Sequence, residues 1–176
     1  MSFPILETDR LILRPHMVQD FADLAAMWGD AQVVRYISGV PSTEEASWGR
    51  LMRYMGHWQA MGYGYWAVTL RDGGAYVGDA GFADHHRAIE PSLGGVPEAG
   101  WVLASRFHGQ GMGAEVVTAI HDWAEMQTDW ARSCCIFDPA HQISQRLALK
   151  AGYEPVADLA RYNDLPTQVM FRTYQG

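Results

Sequence analysis

The chain has 176 residues, 48% of them apolar, and a formal charge of −7; that length can bury one proper core, and nothing in the composition asks for a second domain. Net acidity argues against a general nucleic-acid surface, which draws on clustered Lys and Arg, and it either suits a cationic or amine-bearing partner or only aids solubility. No segment reaches the ~18 apolar residues of a membrane span, and the opening Met1-Ser-Phe-Pro-Ile-Leu-Glu7 lacks a cationic region and a long apolar run, so a cytoplasmic protein free of membrane is expected.

In chain order, Leu11 to Arg14 reads as a strand, followed by a helix from about Val18 to Trp28 with Asp20 near its start. A second helix runs from about Ser42 to Met61, opened by Ser42-x-x-Glu45 at capping-box spacing and broken by Gly62-Tyr-Gly-Tyr-Trp66. Trp66 to Arg71 and Ala75 to Ala83 form a hairpin around Asp72-Gly-Gly74. A loop rich in His, Pro and Gly covers 84–97, and Ala99 to Ala104 is the next strand. After a glycine-rich turn, Val116, Val117, Ile120, Trp123 and Ala124 recur at helical spacing and make one apolar face. Arg132 to Phe137 is a strand, Gln142 to Ala151 a helix, and Tyr153 to Arg161 with Thr167 to Tyr174 a closing strand pair. Cys134 and Cys135 are neighbours in a strand and point to opposite faces, so they read as packing residues, not as a disulfide or zinc site. The seven histidines show no ligand spacing, and no metal is expected.

The stretch Arg106-Phe-His-Gly-Gln-Gly-Met-Gly-Ala-Glu115 sits between a strand and a helix, in the order that builds a phosphate cradle. Glycine lets backbone N–H groups approach a ligand closely, and a helix N-terminus adds free donors and a positive dipole end. A Walker loop is set aside, because Ala114 and Glu115 stand where Lys and Ser or Thr would be needed. Gly109-x-Gly111-x-x-Ala114 matches a dinucleotide fingerprint with Asp138 as the ribose acid, but Asp138 comes later than the usual ~20 residues and fewer than forty residues follow it. A plain glycine turn that starts a helix also fits.

His108-Gly-Gln-Gly-Met-Gly113 resembles the Arg/Gln-x-x-Gly-x-Gly/Ala coenzyme A loop of the GNAT superfamily of N-acetyltransferases. Leu6-Glu-Thr-Asp-Arg-Leu-Ile-Leu-Arg-Pro15 is similar to the opening strand of the branch that holds the ribosomal-protein N-terminal acetyltransferases. Tyr76-Val-Gly-Asp79 resembles that branch's third strand, Glu98-Ala-Gly-Trp-Val-Leu103 its fourth, and Ser144 through Lys150-Ala-Gly-Tyr153 its last helix and turn. The resemblance implies one α/β domain of the α+β type over 1–176. Its mixed, mostly antiparallel central sheet, flanked by helices, would be splayed between the fourth and fifth strands to admit pantetheine.

The implied chemistry is acetyl transfer from acetyl-coenzyme A, a cosubstrate, to a primary amine on a protein N-terminus or a small molecule, by direct attack on the thioester. An alkyl ammonium with a pKa near ~10.4 must lose a proton before it attacks, so a base or water chain is required. Glu98 stands at the position of the family's fourth-strand glutamate and is the candidate base, with pairing to an arginine as its structural alternative. Asp84, His85, His86 and Glu90 are the reserves, in a loop that is a candidate border of the acceptor site. The resemblance assigns coenzyme binding to Gly109, Gln110, Gly111, Met112, Gly113 and Ala114, and carbonyl polarisation to the amide of Val102 or Leu103. Ala148 replaces the tyrosine that protonates the leaving thiolate in many relatives, which leaves that role to Ser144, while Tyr153 is expected to pack in the core. His108 stands in place of Arg or Gln, and His141 in place of the asparagine set against pantetheine. Trp48, Trp58, Tyr63, Tyr65 and Trp66 line a pocket or fill the core. Monomer and homodimer are both open. The alternative to an enzyme is a noncatalytic acyl-coenzyme A sensor or interaction module.

Overall fold

The computed structural model describes residues 3–174; Met1, Ser2, Gln175 and Gly176 of the expected 1–176 domain lie outside the described residues. The chain opens with β1 (Leu6–Glu7) and β2 (Leu11–Arg14). The helix expected over 18–28 starts as a 3-10 turn at Val18–Asp20 and becomes α1 only at Phe21–Trp28. The cause is Asp20, whose carboxylate accepts the Met17 N–H at 2.8 Å and both Arg14 guanidinium nitrogens at 2.8 and 2.7 Å. A short α2 (Ala31–Val34), not foreseen, is capped by Asp30, and α3 spans Glu44–Met61. Its cap is Thr43, one residue later than expected: Thr43 Oγ1 accepts the Ala46 N–H at 3.1 Å, while Ser42 Oγ accepts from Arg50. Gly62, at φ +75°, ends α3 in the left-handed conformation that glycine adopts without strain.

The hairpin is β3 (Tyr65–Leu70) and β4 (Tyr76–Ala83), and the loop expected over 84–97 contains β5 (Ile89–Glu90). Next come β6 (Glu98–Leu103), a 3-10 turn at Ser105–Phe107, α4 (Met112–Gln127), β7 (Arg132–Phe137) and α5 (Gln142–Lys150). The strand expected over 153–161 is split into β8 (Glu154–Pro155) and β9 (Ala160–Tyr162), because each pairs with a different half of the long β10 (Leu165–Thr173). Asn163 and Asp164, at φ +50° and +61°, make the two-residue turn between β9 and β10.

All ten strands form one sheet in the order β1-β2-β3-β4-β6-β7-β10-β9-β5, with β8 also on β10. Every pairing is antiparallel except β6 with β7. Both faces of β3 are buried, and its period-two alternation sorts side chains into two cores. Tyr65 and Ala67 meet Leu24, Trp28, Leu51 and Tyr54 of α1 and α3. Trp66 and Val68 meet Val116, Ile120 and Trp123 of α4. Of the aromatics in question, Trp58, Tyr65 and Trp66 are core, whereas Trp48 is exposed against Phe21. Cys134 and Cys135 are free and buried.

Each core contains a polar knot. In the first, the fully buried Asp79 of β4 accepts from Trp28 Nε1 at 2.9 Å, from the Tyr76 hydroxyl, and from His16 Nε2 at 2.8 Å, while His16 Nδ1 meets the Tyr65 carbonyl at 3.2 Å. That carboxylate joins α1, β4 and the segment after β2. In the second, the donors run from the Tyr174 hydroxyl to Ser133, to Tyr153, and to His121 Nε2, with His121 Nδ1–H given to the Val117 carbonyl at 2.7 Å. This order satisfies every hydroxyl once and fixes His121 as a neutral imidazole.

Removing Asp79 strands three donors in a dry site, so Asp79→Ala should cost about 3–5 kcal/mol, read as a lowered urea midpoint. Burial also pushes the His121 imidazole down to about 4. The unfolded state therefore takes up its proton first, and the resulting stability is full above about pH 6.5 and is lost towards pH 4, by on the order of 3 kcal/mol. His121→Gln cannot titrate. Its deficit against the unmodified chain in urea melts should be largest at pH 7.5 and shrink by pH 4.5; an unchanged deficit would rule the account out.

Candidate active site

The parallel β6–β7 ladder has one register pair, Glu98 with Cys134, next to a Cys134 N–H to Pro97 carbonyl bond of 2.9 Å. Beyond this vertex β6 follows β4 and β7 follows β10, so the strands separate and leave a wedge in the sheet. Along β6, the Ala104 N–H goes to Val77 and the Val102 carbonyl lies against Gly78, so alternate groups face β4. The N–H and C=O of Leu103 consequently face the wedge, and those of Val102 do not. The Leu103 carbonyl accepts from His108 Nε2 at 2.8 Å, which turns His108 inward onto its own loop. Trp101 and Phe137 meet across the opening at 5.7 Å, and Trp101 Nε1 is buried without a partner in the protein.

At the wider end of the wedge lies the glycine loop. Gly109 and Gly111 stand at φ +72° and +78°, and Gly111 is the N-cap of α4 with no side chain to satisfy its first turn. A Cβ on Gly109 would meet nothing within 4 Å. Open space above free N–H groups at the start of a 16-residue helix fits a phosphate. Gly113 differs: it lies inside α4, where a Cβ would come 3.1 Å from Leu147 of α5, so its smallness serves helix packing. Gln110 Nε2 donates to the Arg106 carbonyl and so shapes the loop. Sequence reasoning missed Thr8 and Arg10, which hold Glu115 in the first turn of α4, with Arg10 also donating to the Gln110 carbonyl at 2.9 Å. Burial opposes the Glu115 charge, but Thr8 and Arg10 hold its carboxyl below the ordinary range. The signal lay in the Thr8-Asp9-Arg10 turn, read only as part of a strand motif.

On the opposite lip, Ser144 Oγ of α5 is 3.2 Å from Nε2 of its N-cap, His141, and the His141 ring stacks on Tyr36 at 4.8 Å. Burial holds the His141 imidazole below its ordinary value. Ala148 is fully buried. Asp138 Oδ1 accepts the Ala140 N–H at 2.8 Å, so the carboxylate offered for a ribose instead closes a turn, in a sheet that is not a dinucleotide-binding one.

At the vertex, both oxygens of the buried Glu98 accept from Arg87, at 2.7 and 2.8 Å, and Arg87 also donates to the Tyr162 hydroxyl at 3.0 Å. Burial works against the Arg87 charge, yet the Glu98 carboxylate raises its pKa above the ordinary value. A carboxylate so engaged must give up an ion pair to take a proton, a constraint on the expected base. His85 Nε2 lies 3.9 Å from Glu98, and burial, with Arg87 and Arg53 nearby, pushes its imidazole down to about 3, leaving it neutral. Asp84, His85, Arg87, Leu93, Val96 and Glu98 line a cavity of about 190 Å³. His86 is an exposed part of the same cavity wall, whereas Glu90, in register with Arg161, does not line it. Arg87 and Tyr162 carried no motif, and only the fold brings them to Glu98. Among the described residues no cluster of His, Cys, Asp or Glu fits a metal ion, and no helix is long and apolar enough to cross a membrane.

Residues 10–154 match the family described as the acetyltransferase (GNAT) domain. The chain belongs to the GNAT family. It is an N-acetyltransferase by that membership, and its likenesses run the same way. It is 28% identical over 165 residues to the uncharacterized N-acetyltransferase YoaA of Bacillus subtilis (strain 168), covering 91% of this chain and 88% of that one. A GNAT-family acetyltransferase from Bordetella pertussis superposes with a TM-score of 0.84 at 26% identity, over 97% of this chain and 99% of that one. RimL, the ribosomal L7/L12 alpha-N-protein acetyltransferase solved with coenzyme A, shares the fold with a TM-score of 0.77 at 16% identity, over 97% and 98%.

Truncating Arg87 would leave Glu98 buried and charged without a partner. Arg87→Met should therefore destabilise the GNAT domain by on the order of 3 kcal/mol, and Arg87→Met/Glu98→Gln by clearly less, in urea melts at neutral pH.

Proposed function

We propose that this acetyltransferase moves the acetyl group of acetyl-coenzyme A to a primary amine, on a small molecule or a protein N-terminus. The observation that carries the reading is the wedge itself: it has free backbone donors at its mouth, an inward-facing Leu103 N–H along its side, and a cavity lined by charged groups at its vertex. The N–H groups of Gly109, Gln110, Gly111, Met112, Gly113 and Ala114 suit a diphosphate without any lysine, and RimL, a protein of the same fold, holds coenzyme A. Acetyl-coenzyme A supplies the activated acyl group. The Leu103 N–H is placed to stabilise developing charge on its carbonyl oxygen, a contribution of a few kcal/mol where such donors are preorganised; Val102 supports the strand from behind. His108 tightens the turn through Leu103, and His141 with Ser144 faces the sulfur end.

At the vertex, Glu98 and His85 act together on the amine. Glu98, charged against Arg87, orients the incoming ammonium, and neutral His85 beside it is placed to accept a hydrogen bond from the nitrogen. An imidazole held near 3 is too weak a base to take an ammonium proton, so that proton passes to solvent.

The test is release of free coenzyme A thiol in the presence of a panel of primary amines and N-terminal peptides. Glu98→Gln should lower turnover roughly ten- to a hundredfold at neutral pH, with coenzyme affinity nearly unchanged and partial recovery as pH rises and free amine accumulates. Gly111→Val, which must abandon its left-handed turn, should instead weaken coenzyme A binding in calorimetry. Wild-type turnover in Glu98→Gln would remove Glu98 from the chemistry, and unaltered coenzyme affinity in a folded Gly111→Val would remove the cradle.

A further inference from the structure

The two faces of the wedge differ. On the α4 face, Trp101 and Phe137 meet at 5.7 Å and pack against the core beneath them, so that side is floored. An amine must reach the thioester over the opposite face, to which Glu98, Gly100 and Val102 of β6 turn by the alternation of a strand. Gly100 stands two residues past the vertex and has no side chain to offer there. Its place is taken by Tyr65 of β3. Tyr65, Gly81 and Gly100 are in register across β3, β4 and β6, so the phenol's neighbours in the row are both bare. The ring lies across β4 and ends over β6: a Cβ on Gly100 would come 1.9 Å from the Tyr65 hydroxyl and 3.1 Å from Cζ.

The ring is fixed, yet its hydroxyl is uncommitted. Tyr54 stacks on it at 4.8 Å with the planes 6° apart, the His85 ring meets it at 6.3 Å, and the Tyr65 carbonyl accepts from Trp58 Nε1 at 2.8 Å. Among the described residues the protein's bonds to Tyr65 reach its backbone, and none reaches the phenol oxygen. A ring that only filled the core would need no oxygen, and phenylalanine would pack as well. Burial, and then the Glu98 charge, push the phenol's pKa up, so it keeps its proton and its oxygen stays a neutral acceptor.

We propose that the Tyr65 hydroxyl is a second contact for the acceptor nitrogen, so that Tyr65 and the Glu98–His85 pair together select a primary amine. This rests on the acetyl-transfer reading above. Glu98, anchored to Arg87 and with His85 Nε2 3.9 Å away, receives one N–H. The Tyr65 oxygen, above the residue two further along β6, receives another. Once the third proton has gone to solvent, both remaining hydrogens are held and the lone pair is left to face the thioester. No proton crosses Tyr65; the bond made, nitrogen to acetyl carbon, and the bond broken, carbon to sulfur, are those of the transfer itself. A deprotonated secondary amine has a single N–H, so it must abandon one contact and set a carbon against a polar oxygen.

The readout is the ratio of kcat/KM for the best primary amine of the panel to that for its N-methyl counterpart, at saturating acetyl-coenzyme A. The unmodified protein should favour the primary amine by roughly tenfold or more. Tyr65→Phe keeps the ring and removes an unpaired hydroxyl, so its urea midpoint should not fall. Its kcat/KM for the primary amine should drop roughly three- to tenfold, as for one lost hydrogen bond, with the N-methyl amine and the KM for acetyl-coenzyme A each changed by less than about twofold. No loss, or equal losses for both amines, makes Tyr65 a core residue and overturns the proposal. Contact is also judged without turnover. With tyrosine Cζ labelled with carbon-13 and coenzyme A bound, propylamine should shift the resonance that Tyr65→Phe deletes, and N-methylpropylamine should shift it less. Equal shifts, or none, sink the two-point contact. If no amine of the panel releases thiol, acetyl transfer itself fails, and the carbon-13 titration still decides whether the phenol meets an amine.

Discussion

The whole site depends on one register pair. Parallel strands that stayed together beyond Glu98 and Cys134 would fill the sheet and leave no wedge, and the Leu103 N–H would be consumed by β7. The separation is forced from both sides. β6 holds to β4 over six residues, β7 holds to β10 over six, and the helices beyond them pack on the far ends. The ion pair at the vertex then has a mechanical reading as well as an electrical one. Arg87 reaches from the loop before β6 to Glu98 and on to Tyr162 of β9, so it ties the two halves of the sheet together at the point where the ladder stops.

The half-sheet carrying β3 and β4 is rigid for a separate reason. Asp79 is dry and satisfied on both oxygens, and its donors come from α1, from β4 and from the segment after β2. Such a group contributes less net stability than its bonds suggest, because desolvation offsets much of the attraction. What it fixes is relative placement. If α1 shifted, Trp28 would lose its acceptor, and α2 with Tyr36 would shift too, since Asp30 beside α1 is bound to Ser105 at the start of the glycine loop at 2.6 Å. The lip that holds His141 in place is thereby referred back to the core.

The sequence was a good guide wherever local chemistry decides the outcome. The glycine loop, the apolar face of α4 and the β3–β4 hairpin follow from spacing and turn residues. It was a poor guide where partners are distant. Nothing near Tyr153 announces that the closing strand must divide between two halves of β10, and nothing near Glu98 announces Arg87 or Tyr162. Gly111 and Gly113 look alike in the motif, yet one turns the backbone and the other admits Leu147. Val102 and Leu103 were interchangeable in sequence, and only the parity set by Val77 and Gly78 separates them.

The histidines show how that gap arises. Read as a composition, seven of them invite a search for metal ligands. In place, His57 donates Nδ1 to the Tyr63 carbonyl and accepts the Asp84 N–H on Nε2, His121 joins Val117 to Tyr153, and His108 ties its loop to Leu103. His57 and His121 are connectors with one donor and one acceptor, which is the property of a neutral imidazole that neither Lys nor Asp shares. A residue of that kind is set by a backbone carbonyl on one side and by an N–H or a hydroxyl on the other. His141 is set instead by side chains alone, with Nε2 3.2 Å from Ser144 Oγ and its ring stacked on Tyr36.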